Sequence, residues 1–66
     1  MFEKINYEIE QCEFRIKTYQ GYIDKYKSKI QSDESEIIRL QPFINMYEKW
    51  ITAENEAIKK YKQLKI

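Results

Sequence analysis

Few side chains in this sequence are equipped for chemistry. Its 66 residues include no histidine, one cysteine and eleven acids, so imidazole base catalysis, a cysteine-based metal cluster and an internal disulfide all lack their parts. One glycine and one proline leave no Gly-rich loop to cradle a phosphate. Acids alone supply pairs for general acid and base work, but such a pair needs a concave, water-excluding pocket to push its pKa values apart. Glu54 is the acid singled out by position, because the periodicity described below places it in the core. There, near Cys12, Ile16 and Arg15, it needs either a salt bridge to Arg15 or solvent access at the seam edge. Cys12 itself reads as a small core hydrophobe rather than a reactive thiol. The sequence therefore predicts no catalytic, cofactor or metal site, and a protein that is not an enzyme.

A second chemistry is suggested by lysines interleaved with tyrosine, in "KYKSK" (25–29) and "KKYKQLK" (59–65). Such clusters can track phosphates and stack bases. Tyr26 and Tyr61 are claimed by the helix seam, however, and the lysines fall where helix C-termini favour cations. The formal net charge of +1 adds no one-sign field. Nucleic acid is not the expected partner, and neither is a membrane surface, since the apolar faces are better used in helix packing.

The elements that carry these residues are set by a heptad repeat. From Phe2 as position a, every a position from Ile9 to Ile58 is isoleucine: Ile9, Ile16, Ile23, Ile30, Ile37, Ile44, Ile51 and Ile58. The d positions run Ile5, Cys12, Tyr19, Tyr26, Asp33, Leu40, Tyr47, Glu54 and Tyr61. Register alone allows one continuous rod. Charge order argues for two helices, because acids precede bases in each half: Glu3 to Glu13 before Lys17 to Lys29, then Asp33 to Glu36 before Lys59 to Lys65. Ser32, Asp33 and Ser35 are N-cap types, and Asp33 with Glu36 resembles a capping box. The prediction is an all-α, antiparallel two-helix hairpin forming a single domain over residues 1–66. Helix 1 covers about 2–31, the turn about 31–35 and helix 2 about 34–64, with a kink near Pro42. The rival division continues helix 1 to about residue 40 and starts helix 2 at Pro42. Gly21, mid-helix, marks either a close helix approach or drift.

Some apolar surface exceeds what one seam needs. On helix 2 the g positions are Phe43, Trp50, Ala57 and Leu64, flanked at c by Met46 and Ala53. On helix 1, Tyr7 and Phe14 lie a heptad apart at f, facing away from the seam, and Tyr22 occupies g. A chain this short builds little interior alone. The surplus therefore predicts association of two hairpins into a four-helix bundle, and aromatic anchors for a different protein. Tyr7, Phe14, Tyr22, Phe43, Met46, Trp50, Ala57 and Leu64 are the candidate interaction residues.

The expected partners are a second copy and a host protein. One cysteine and the absence of a long apolar run predict a cytoplasmic protein without a membrane span or signal peptide. Isoleucine far outnumbers leucine, lysine outnumbers arginine, and valine is missing, choices that point to an AT-rich genome such as that of a low-GC bacterium, its phages or an archaeal virus. A small phage or mobile-element regulator, or a structural coiled-coil module, fits this description.

Overall fold

The computed structural model describes residues 2–64. Helix α1 spans Phe2–Ser32, a 3-10 turn covers Glu34–Glu36, and α2 spans Ile37–Leu64. No strand occurs among the described residues. The seam position assigned to the Phe2 side chain, and the terminal Lys65, lie outside them. Glu3 in the first turn of α1, and Lys29 and Lys62 in the last turns of α1 and α2, place charge where each macrodipole favours it. Helices of this kind are held mainly by burying one face, propensity alone being marginal.

The chain reverses at Asp33, the one residue between the helical segments. Its extended backbone, φ −145° and ψ 100°, stops α1, while its N–H still donates to the Lys29 carbonyl at 2.9 Å. Its carboxylate then starts the next segment. Asp33 Oδ1 accepts from the Ser35 backbone N–H at 3.1 Å and the Ser35 hydroxyl at 2.7 Å, and these bonds hold the carboxyl below its ordinary pKa. The expected box is corrected in both halves: the Asp33 carboxylate takes the Ser35 N–H, and the Glu36 N–H donates instead to the Asp33 carbonyl at 3.0 Å. The Glu36 carboxylate does not reach back to Asp33; it accepts from Arg39 Nε at 2.7 Å. The tight 3-10 turn sets Ser35 against the Asp33 carboxylate, and a guanidinium three residues on offers Glu36 a charged donor.

Pro42 lies inside α2, so the reversal at Asp33 excludes a second helix beginning at Pro42. Proline there deprives the Ile38 carbonyl of its helical donor. Ile38 is 85% exposed, which leaves that turn open to water.

The two helices run antiparallel in one alignment. Arg15 meets Glu54, Tyr19 meets Trp50, Tyr22 meets Tyr47 and Tyr26 meets Phe43, each pair of numbers adding to 69. Among the described residues the buried apolar ones are Ile9, Cys12 and Ile23 from α1 with Leu40 and Ile44 from α2, all at a or d. Burying each aliphatic side chain contributes about 1.5–3 kcal/mol. Ile37 departs from the seam at 46% exposed, because the same alignment sets only Ser32 across from it. The Cα trace measures 49 × 14 × 12 Å, a rod one seam thick. Gly21 marks no close approach: a Cβ there would meet nothing within 4 Å.

Candidate functional site

Two features of the hairpin could do work, a polar inclusion in the seam and an apolar face beside it. The inclusion forms where the d series brings Glu54 across from α1. Arg15 Nε donates to Glu54 Oε1 at 2.9 Å, and Arg15 Nη2 to Cys12 Sγ at 3.5 Å. The guanidinium bond dominates Glu54 and holds its carboxyl below the ordinary range, even though burial pulls the other way. Glu54 Oε2 is buried without a hydrogen-bond partner. Cys12, 2% exposed, is pushed in the opposite direction: burial first, then the adjacent carboxylate, raises its thiol pKa. A protonated, enclosed thiol is a poor nucleophile, so the trio reads as a paired core charge that fixes alignment.

The apolar face begins with six rings. Tyr47 of α2 lies 5.4 to 6.2 Å, centroid to centroid, from Tyr22, Tyr19 and Tyr26 of α1, in stacked arrangements. Trp50 meets Tyr47 at 5.3 Å and Tyr19 at 5.4 Å, edge to face, and Phe43 reaches Tyr26 at 6.1 Å. Aromatic pairs at these separations add about 0.5–1.5 kcal/mol each beyond area burial. Tyr19, Tyr26 and Tyr47 come from the d seam, while Tyr22, Phe43 and Trp50 come from g. An antiparallel pair puts the g positions of both helices on one side and the e positions on the other. The ladder therefore emerges on one side only. The opposite side carries Gln20, Lys27, Gln41 and Glu48, so beside the ladder the g side is the apolar one, while Glu8, Arg15 and Lys29 fill the rest of the g series of α1.

Along α2 the face continues past the ladder. Phe43, Met46, Trp50, Ala53, Ala57, Lys60 and Leu64 recur at alternating steps of three and four, a second heptad stripe about 110° round the helix from the first at 100° per residue. The first stripe packs on α1. The second touches α1 through Phe43 and Trp50, yet Trp50 is still 43% exposed.

Comparison with protein-family models, curated proteins and solved structures finds no match to this chain.

The candidate interaction residues fall into two groups. Tyr22, Phe43, Met46, Trp50, Ala57 and Leu64 share the ladder side, with Met46 and Ala57 half-buried and Leu64 exposed at the end of α2. Tyr7 and Phe14 stand apart on the back of α1, and Phe14 is 67% exposed. Tyr19, Tyr26 and Tyr47 were not among the candidates, because seam position alone marks them as core. Their link to the g aromatics becomes visible only once the antiparallel alignment is applied. Ile37 and Ile38, exposed beside the turn, were also missed; the heptad count assigns the first to the seam and is silent on the second.

Other surfaces carry less. A hollow of about 580 Å³ at the turn end is lined by polar residues including Lys25, Lys29, Asp33, Glu36 and Arg39, and it opens to solvent. The "KYKSK" cluster lies toward the turn and the 59–62 lysines toward the helix termini, on opposite ends of a 49 Å rod. No cluster of metal-ligating side chains occurs among the described residues, and no described helix is long and apolar enough to cross a membrane.

Proposed function

We propose that this protein is a non-enzymatic protein-interaction module that works by covering the outer stripe of α2. Two hairpins associate through that stripe into a four-helix bundle, and Tyr7 with Phe14, on the far side of α1, remain to anchor a different protein. The observation that carries this reading is the second heptad stripe of α2, whose Phe43 and Trp50 touch α1 tyrosines yet stay 46% and 43% exposed. Exposed apolar patches of this kind mark interaction sites, and tryptophan and tyrosine dominate binding hot spots. Small size, AT-rich residue choices and two separate aromatic faces favour a regulator or inhibitor of phage or mobile-element type, acting on a host protein in the cytoplasm.

The test is binding by charged variants. Each checked for retained helicity by circular dichroism, Phe14→Glu abolishes capture of the host protein by the tagged chain, and Trp50→Glu abolishes binding of a second copy. Full binding by both variants would remove these faces as the site. The two-sided placement of the aromatic faces also favours a second reading, a scaffold whose units join end to end or side to side. Its signature is mass that keeps growing with concentration instead of stopping at a closed dimer.

A further inference from the structure

We infer that the hairpin is one of two states of this chain: it opens at Asp33 into a single continuous helix, and two opened copies pair antiparallel through the seam that each hairpin uses internally. This goes beyond the interaction reading above and does not rest on it, because it uses the seam and leaves the outer stripe of α2 free.

The reversal is already close to helical. Asp33 is the one residue between α1 and the 3-10 turn, and its N–H makes the bond to the Lys29 carbonyl that a continuing helix would make. Among the described residues no backbone φ is positive, and the sole glycine and sole proline lie elsewhere, so the usual devices that enforce a helix stop are missing. Moving Asp33 from φ −145° and ψ 100° into the helical region, and relaxing one 3-10 turn, joins α1 to α2.

The joined helix keeps one seam. Tyr26, Ile30, Asp33, Ile37 and Leu40 follow at alternating steps of four and three, so the a and d series crosses the reversal without a slip. The alignment is also self-complementary. Contacts within the hairpin join residues whose numbers add to 69, and two antiparallel rods in that alignment repeat each of them twice between copies, about a two-fold axis near residue 35. The Arg15–Glu54 pair and the ladder are thus retained. Ile37, a seam residue 46% exposed in the hairpin, gains cover, since the helix opposite it no longer ends at Ser32.

Asp33 is the latch. Opening breaks its bonds to Ser35, sets its carboxylate on the seam, and gathers Asp33, Glu34 and Glu36 of both copies at the axis. The closed form also keeps its second helix at the high effective concentration of a tethered segment. The hairpin therefore holds in dilute solution, and the rod pair gains with concentration.

The test is length and mass in chains that all carry Ala53→Glu, a charge that removes association through the outer stripe. Adding Asp33→Leu releases the latch and supplies an apolar d residue. The expected product is a helical dimer of twice the 8.2 kDa chain mass, with a longest dimension by small-angle scattering of about 95 Å for residues 2–64 at about 1.5 Å each, against 49 Å for the hairpin. Adding Glu34→Pro returns the chain to monomer mass and hairpin length, because proline suits the first position of a helical segment after an extended residue and breaks a helix running through. A helical Asp33→Leu chain of hairpin length, or a long dimer that survives Glu34→Pro, would overturn the open state and leave the outer-stripe reading standing. If Asp33→Leu is not helical, the Ala53→Glu chain refolded from urea at millimolar concentration decides: a fraction of long dimer that Glu34→Pro abolishes supports the open state, and its absence overturns it.

Discussion

Arg15, Glu54 and Cys12 form a polar inclusion in an otherwise apolar seam, and acid should act on it first. The folded carboxyl of Glu54 has a lower pKa than in the unfolded chain, so its contribution is present above the ordinary carboxylate range and is lost as pH falls through and below it. Urea denaturation followed between pH 7 and pH 3 should show this loss, and Glu54→Gln should remove that part of the pH dependence. Arg15→Ala strands a carboxylate that already has one unpartnered oxygen, at a cost of about 1–3 kcal/mol. Cys12, buried and held protonated, should react with an alkylating reagent only as fast as the hairpin opens; rapid modification of the folded chain would contradict its enclosure. The pairing of Glu54 with Arg15 was readable from sequence, because a charge at d must find a partner and the turn position selects which one. The buried, unpartnered Oε2 was not, since it depends on the angle at which the guanidinium approaches.

Each helix was readable from the isoleucine series, and the reversal from the restart of acid before base at Asp33. The 3-10 turn was not, because whether Glu36 reaches back or turns to Arg39 is a contest between two local bonds that spacing does not settle. Gly21 offers a clean check on α1. With open space around its Cβ position, Gly21→Ala should stabilise the hairpin by about 0.5–1 kcal/mol, measured as a shift in urea midpoint at constant slope. Loss of stability would mean that a neighbour packs there. The aromatic ladder responds to base. Burial, with the phenols of Tyr26, Tyr22 and Tyr19, raises the pKa of Tyr47, so its contribution is complete below the unfolded tyrosine value of about 10 and is lost as pH rises above it. Ultraviolet titration should find a phenol ionising later than free tyrosine, and Tyr47→Phe should remove that late step.

The hairpin is one seam thick with its aromatic ladder emerging on one side, which follows from the antiparallel alignment that gathers both g series there. Sequence identified the surplus stripe of α2. It could not show that the stripe joins the d-position tyrosines of α1 into a continuous face, because that union exists only after the chain folds back. The central claim is that this face is covered by protein, and first by a second copy. Ala53 sits on the stripe, exposed, and takes no part in the ring contacts, so a charge there leaves the ladder intact. Sedimentation equilibrium of the wild type and of Ala53→Glu, over a wide range of concentration, tests the claim most directly. The wild type should approach twice the 8.2 kDa chain mass while Ala53→Glu stays helical and monomeric; a wild type that remains at the chain mass throughout, or a variant that associates equally well, would contradict it.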